Sequence, residues 1–316
     1  MTTVRLETGL DDEGRRLDRV LRRACAELPI SAIHRLLRKG FVSVDGKRAG
    51  QAERVRSGQV IEILGAELPC AADRKKSRGG SSIGDGVEVL YEGQGLLVLN
   101  KPPGITTQEE LGALALEYLT GKTSPSLSFR PGPLHRLDKG TSGIIVFGSS
   151  LAGAKRFSAL MRGGLLRKTY IALLEGSLIG ERLWQDSLAY SASMQKSRVN
   201  TAPGATAKRA RTRVFPLELH GGFTLAAMEI ATGRRHQIRV QSAARGFPLY
   251  GDAKYGGRER APFFLHACRL DFPEGCPFPR SISAPLPPAF QKKLLQLCFT
   301  RADQLRMNAG QILLNK

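Results

Sequence analysis

The sequence predicts an α+β protein in two parts: a small N-terminal α/β domain and a larger domain with a mainly antiparallel mixed sheet flanked by helices and loops. Three observations carry this. The 316 residues suit two domains rather than one and are enough to bury a proper core. The first 65 residues read as two short helices followed by short strands. From Val87 onward, apolar strand-like runs are interrupted by only a few helical ones. The predicted boundaries are a first domain at 1–65, a flexible linker at 66–86, a second domain at 87–300 and a C-terminal tail at 301–316.

Each element has its own local signal. Leu17, Val20, Leu21 and Ala24 recur at helical spacing, among Arg15, Arg16, Arg19, Arg22 and Arg23. Ser31 is the expected cap of a second helix holding Ile33, Leu36 and Leu37 and ended by Gly40. "FVSVDGKRA" predicts strand, Asp-Gly turn and strand, and "RVRSGQVIEIL" a further turn and strand. "ADRKKSRGGSSIGDG" is charged, rich in Gly and Ser and aperiodic, as a linker is. "VEVLYEGQGLLVLNKPPGITT" predicts two strands around a Gly turn, then a Pro-Pro-Gly break. "ELGALALEYL", "AGAKRFSALMR" and "RRHQIRVQSAAR" predict helices, the last closed by Gly246. "TYIALLEG", "TRVFPLEL", "FTLAAMEIAT" and "FFLHACRLDFP" predict strands.

Composition narrows the class. The net charge of +20 favours a polyanionic partner, nucleic acid above all. No apolar run approaches membrane-spanning length, and the opening "MTTVRLETGLDDEGRR" has no apolar core, so no membrane partner or secretory signal is expected. Five cysteines without a CxxC pair argue against a disulfide framework or zinc site and for a reducing cytoplasm. Most should be small buried hydrophobes. No dinucleotide loop, Walker loop or metal-ligand cluster is legible, so no cofactor and no metal are expected.

The pattern of the first 65 residues resembles the S-four-type RNA-binding domain, named after a ribosomal protein. The resemblance implies RNA contacts from the second helix and the turn after it, at His34, Arg35, Arg38 and Lys39. A merely solvated basic helix face is the plainer alternative.

"HRLDKGTSG", residues 135–143, sets one carboxylate between cations ahead of the apolar run Ile144–Phe147. Alone, Asp138 before Lys139 and Gly140 reads as a turn. It does not stand alone. "LLVLNKPPG", "HRLDKGTSGIIVF", "RKTY", "TGRRHQIRV", "YGDAKYGG" and "LHA" follow in one order. This set resembles the RluA-type pseudouridine synthase family over roughly residues 87–275, in its long form with an N-terminal RNA-binding domain. The resemblance implies an isomerase that detaches uracil from ribose, turns it and rejoins it through carbon. It implies that Asp138 is the catalytic carboxylate, as nucleophile or as acid/base, beside Tyr170 and a cationic Arg239. It implies that Arg136 fills the stack vacated by a flipped nucleotide. Arg167 and Lys168 would face phosphate, and Gly140 and Gly143 would permit close backbone approach. His135, His236 and His266 are expected to support rather than catalyse. Departures from the family pattern are Arg235 in "GRRH", Gln241 after "HQIRV" and "ITTQ" after "NKPPG".

One acid-free stretch, "QKSRVNTAPGATAKRARTRVF" at 195–215, predicts a loop and then a strand with Arg209, Arg211 and Arg213 on one face. It suits an RNA-phosphate rail, the plainer alternative being a solvated edge strand. The whole therefore predicts a cytoplasmic, monomeric, cofactor-free enzyme of structured RNA, most simply ribosomal RNA. Transfer RNA is the alternative substrate, and a non-catalytic ribosome-assembly factor the alternative class.

Overall fold

A computed structural model describes residues 2–65, 83–84, 86–200, 207–259 and 262–300. In chain order its elements are β1 (Thr3–Glu7), α1 (Leu17–Ala24), α2 (Ile30–Lys39), β2 (Val42–Val44), β3 (Lys47–Arg48), β4 (Val60–Leu64), β5 (Glu88–Gly93), β6 (Leu96–Lys101), α3 (Glu110–Leu119), β7 (Gly132–Pro133), β8 (Ser142–Gly148), α4 (Leu151–Arg162), β9 (Arg167–Glu175), β10 (Arg182–Ser191), β11 (Lys196–Val199), β12 (Lys208–His220), β13 (Phe223–Ile230), α5 (Gln237–Ala243), β14 (Leu265–Asp271), β15 (Ser281–Ser283) and α6 (Pro288–Gln296). This is a mixed α+β fold. No helix among the described residues is long and apolar enough to cross a membrane.

The chain forms two compact units. The first joins the described parts of Met1–Ile83 to Leu114–Gly132 and Gly148–Lys155. Its sheet runs β1-β4-β2-β3. Leu17, Val20 and Leu21 of α1 and Ile33 and Leu37 of α2 are buried with Val42, Val44, Ile61 and Ile63 of the sheet. Burying each such side chain contributes about 1.5–3 kcal/mol. Asp45 and Gly46 both have positive φ (50° and 75°), the geometry a two-residue hairpin turn demands. Ser31 does not cap α2: Pro29 is the N-cap residue and the helix starts at Ile30, with Gly40 at φ 75° closing the other end. The five-residue strand β1 is not among the elements expected above: Val4 and Leu6 face inward between exposed Thr3, Arg5 and Glu7, an alternation of only two apolar residues. The segment 126–128 is tied to this unit by Asp12. Its fully buried carboxylate accepts hydrogen bonds from the backbone N–H groups of Gly9, Leu127 and Ser128, each at 2.9 Å, and from the hydroxyls of Ser126 and Ser128. Burial pushes the Asp12 pKa up, but these hydrogen bonds outweigh it and hold it below the ordinary value.

The second unit carries a sheet whose path runs β11-β10-β12-β13-β9-β14-β8-β6-β5, with β15 beside β14. The ladders β5–β6, β10–β11, β10–β12, β12–β13, β9–β13 and β9–β14 are antiparallel and β8–β14 is parallel. One core holds Leu96, Val98, Ile144, Val146, Phe157 and Phe272, and another Ile171, Leu173, Leu225, Ala227 and, from α6, Phe290 and Leu294. Where β8 meets β14, a Cβ on Gly143 (φ 110°) would stand 2.2 Å from the Ala267 carbonyl oxygen, so only glycine fits.

Several expectations need correction. β10, β11 and α6 carry too little buried apolar surface in regular alternation to show in sequence. The stretch 195–204 is not all loop, since Lys196–Val199 is a strand. Pro203 and Gly204 lie outside the described residues, as do the tail 301–316 and all of 66–86 except 83, 84 and 86. The helix after "GRRH" spans only Gln237–Ala243. β12 is no edge strand, because β10 and β13 flank it. Of the described cysteines, Cys25 and Cys268 are buried, whereas Cys276 is partly exposed and Cys298 exposed.

Candidate active site

Asp138 sits on the loop that leads into β8. Two neighbours pin this loop. Lys101, fully buried at the end of β6, donates to the carbonyls of Pro102 (2.9 Å), Ile105 (2.9 Å) and Lys139 (3.1 Å). Burial pushes its pKa down to about 8, which leaves it charged at neutral pH. Thr107 then clasps Leu137: its hydroxyl donates to the Leu137 carbonyl and accepts from the Leu137 N–H, both at 3.2 Å. Gly140 abuts the ring of Phe263, where a Cβ would approach to 2.8 Å.

Arg239 reaches Asp138 from α5. Its Nη1 donates to Asp138 Oδ2 at 3.1 Å, while Nε and Nη2 fork onto Asp252 at 2.7 and 2.8 Å. The guanidinium also lies over Phe263 (4.4 Å) and Tyr255 (5.1 Å). Burial opposes its charge, but Asp252 and then Asp138 outweigh that and raise its pKa above the ordinary value. A bidentate pair of this kind fixes both distance and plane. Asp138 thus faces a cation that cannot swing away.

His236 has its Nε2 3.7 Å from Asp138 Oδ1, and its Nδ1 is 2.9 Å from the Tyr255 hydroxyl. Its backbone is left-handed (φ 55°), which turns the chain into α5. Burial outweighs the attraction of Asp138 and pushes its pKa down to about 4, so it is neutral at pH 7. Tyr170, on β9, is buried, and that burial raises its phenol pKa well above the ordinary value. Its hydroxyl has no hydrogen-bond partner among the described residues.

Asp138, Tyr170 and Arg239 line one cavity of about 930 Å³. Arg136, Lys168, Arg234 and Arg235 also line it, and Asp138 is the one acid among its described lining residues. Burial, then Arg234, pushes the Lys168 pKa down. The remaining sequence-predicted residues lie outside this wall. Arg167 is exposed and 3.7 Å from Glu229. Arg209, Arg211 and Arg213 project from the exposed face of β12, with Ala210, Thr212 and Val214 buried between them. Arg35, Arg38 and Lys39 are exposed on α2 of the first unit.

The other histidines have structural partners. His135 accepts from the Val146 N–H at 3.1 Å and His266 sits 2.9 Å from the Ser142 hydroxyl, with pKa values that burial pushes down to about 3 and about 4. Gln241 is fully buried between Thr212 and Asp186, at 2.6 Å from each, so it is a packing residue of α5. No local signal in the sequence marks a role for Lys101, Asp252, Tyr255, Tyr190 or Arg235. Asp252 and Tyr255 stood in the quoted "YGDAKYGG", but nothing local says which side chain of that string turns inward.

The family model described as RNA pseudouridylate synthase matches residues 95–244. Ribosomal large subunit pseudouridine synthase C of Vibrio vulnificus is 29% identical over 313 residues, covering 92% of this chain and 95% of that one. A Chloroflexus aurantiacus protein named an uncharacterized RNA pseudouridine synthase is 30% identical over 301 residues, covering 89% and 90%. Among solved structures, human RNA pseudouridylate synthase domain containing 4 shares the fold at a TM-score of 0.55 and 22% identity, over 66% of this chain and 92% of that one.

Proposed function

The chain belongs to the RNA pseudouridine synthase family and isomerises uridine in RNA; from that premise we propose that it modifies large-subunit ribosomal RNA, with Asp138, Tyr170 and Arg239 as its catalytic group. The observation that carries the residue assignment is the 3.1 Å ion pair between Asp138 and Arg239 in the cavity that Tyr170 also lines. The substrate class follows from the relatives named for the large ribosomal subunit.

The reaction breaks the bond from ribose C1′ to uracil N1 and forms one from C1′ to C5. The proton lost at C5 is balanced by one gained at N1, so no donor or redox partner enters. Asp138 serves either as nucleophile at the sugar or as the base that drives departure of uracil. Arg239, locked on Asp252, holds the carboxylate in position through both halves of the reaction. Tyr170 keeps its proton, so its ring packs on uracil while its hydroxyl hydrogen-bonds or relays a proton. The target nucleotide must flip into the cavity, and Arg136, exposed at its wall, takes the vacated place in the stack.

Binding is assigned to three cationic surfaces. Arg167 and Lys168 face phosphate beside the cavity, and Arg209, Arg211 and Arg213 form a rail on β12. Arg35, Arg38 and Lys39 belong to an S-four-type RNA-binding domain over 1–65, joined through 66–86 to a catalytic domain over 87–300. The enzyme acts as a cytoplasmic monomer without cofactor.

The test is pseudouridine mapping of ribosomal RNA incubated with the wild type and with Asp138→Asn. The wild type should convert specific uridines. The variant should convert none while binding RNA within about threefold of the wild type, because only one charge in a wide interface is lost. Normal turnover by the variant removes Asp138 from the mechanism. Conversion confined to transfer RNA moves the substrate.

A further inference from the structure

We propose that Arg235, held against the ring of Tyr190, docks a backbone phosphate beside the flipped uridine; the inference rests on the functional reading above. Arg235 lines the same cavity as Asp138, Tyr170 and Arg239. Both its ends are held by the β10–β11 hairpin. Its guanidinium carbon lies 4.1 Å from the Tyr190 ring centroid on β10, and its backbone carbonyl accepts from the Ser197 hydroxyl on β11 at 2.6 Å.

The head group is nevertheless unsatisfied. Its Nε is buried with no hydrogen-bond partner, and no described carboxylate or carbonyl takes a bond from the guanidinium. Neighbouring arginines differ. Arg239 forks onto Asp252, Arg245 pairs with Asp186, and Arg234 Nε donates to the Arg209 carbonyl at 3.0 Å. The buried Nε stays out of reach of a ligand, so the Nη groups, which have no protein partner among the described residues, are the donors left to meet one. A guanidinium stacked on an aromatic face has its plane set and its remaining donors directed from its edge, the arrangement that binds phosphate bidentately.

The surroundings select the ligand's charge. Lys168 and Arg234 line the same cavity, and apart from Asp138 no described residue lining it is acidic. A wall of this sign suits a phosphodiester rather than neutral uracil. Since Asp138 must meet the sugar of the flipped nucleotide, an arginine elsewhere on the wall meets the backbone next to it.

The experiment uses the full-length protein and a ribosomal RNA fragment carrying a mapped target uridine. Arg235→Ala should raise KM about tenfold, the loss expected for one charge-assisted hydrogen bond. It should also flatten the log–log dependence of binding on salt by about one unit. Arg235→Lys should keep the salt slope and recover only part of the KM. Tyr190→Leu should reproduce part of the defect and Tyr190→Phe none. A methylphosphonate on one side of the target uridine should cost the wild type the same factor and Arg235→Ala nothing more. Unchanged KM and slope in an Arg235→Ala protein that melts like the wild type overturn the proposal. So does a loss in kcat at constant KM, which would place Arg235 with the Asp138–Arg239 pair rather than on a backbone phosphate. The salt slope is read on binding in an Asp138→Asn background, so it tests Arg235 without turnover. Failure of the wild type to form pseudouridine would defeat only the functional reading.

Discussion

Asp252 shows how much of the site's chemistry depends on a residue that need not touch RNA. It takes two hydrogen bonds from Arg239, at 2.7 and 2.8 Å, and is itself buried. Asp252→Asn retains the shape but weakens the fork, and Arg239 is then free to turn fully onto Asp138. A misplacement of about 1 Å costs on the order of a hundredfold in rate. Single-turnover kinetics should therefore show a fall of that size in kcat with little change in RNA affinity. His266 makes a separate residue-scale prediction. It is wholly buried, with a pKa that burial pushes from 6.5 down to about 4. The unfolded chain thus binds a proton at higher pH than the folded one, so stability is lost as pH falls from about 6.5 toward 4. This contribution is worth roughly 3 kcal/mol in that window. Urea melts at pH 7.5 and near pH 4.5 should show a smaller acid loss in His266→Gln than in the wild type.

Within the elements, β12 carries the clearest prediction. Its alternation puts Ala210, Thr212 and Val214 inward and Arg209, Arg211 and Arg213 outward. With β10 and β13 on either side, the arginines do not guard a sheet edge. Arg213 lies over the Phe215 ring (5.1 Å) and opposite Glu229 on β13, whereas exposed Arg209 and Arg211 have no described acidic partner and face water or a polyanion. Arg209→Ala combined with Arg211→Ala should weaken RNA binding and flatten the salt slope by roughly one to two units. Neither residue lines the Asp138 cavity. A slope equal to the wild type's in a folded double variant assigns these charges to solvation. α5 shows the opposite economy. Seven residues suffice because His236 turns the chain at φ 55° and Gln241 anchors the helix to Thr212 and Asp186.

For the whole molecule, the first unit extends beyond the first 65 residues in sequence. Asp12 satisfies the N–H groups of Leu127 and Ser128, and Leu127 packs on the core of α1, α2 and their sheet. Asp12→Ala leaves the Leu127 N–H without its acceptor and the Ser128 N–H with only its longer bond to the Ser126 hydroxyl (3.2 Å), a total cost of about 1–3 kcal/mol. The first unit should melt earlier by differential scanning calorimetry, and limited proteolysis should open a site near 125–130. A protein that starts near residue 87 lacks Asp12 as well and should show the same cleavage. Melting and proteolysis identical to the wild type in Asp12→Ala would make this link structurally neutral.

Some of this protein was determined by the sequence itself. Helical spacing located α1 to α4, Asp45-Gly46 and Gly40 located their turns, and the ordered strings from "LLVLNKPPG" to "LHA" pointed to the family and to Asp138, Tyr170 and Arg239. Such signals are local or follow chain order, and need no third dimension. β10 and β11 escaped because these partly exposed strands carry no clean alternation, and β1 because its two inward residues, Val4 and Leu6, are too short a signal and find their partner only in β4. The partners of the site escaped for a related reason. Asp138 and Arg239 are 101 residues apart, and Asp252 is another 13 beyond Arg239. Which side chains converge there depends on the approach of β8, α5 and the loop after it. Only the tertiary structure decides that Arg239 is clamped, that His236 is neutral and that Arg235 is held on Tyr190 without a partner, because burial and hydrogen-bond satisfaction are properties of surroundings assembled from the whole sheet.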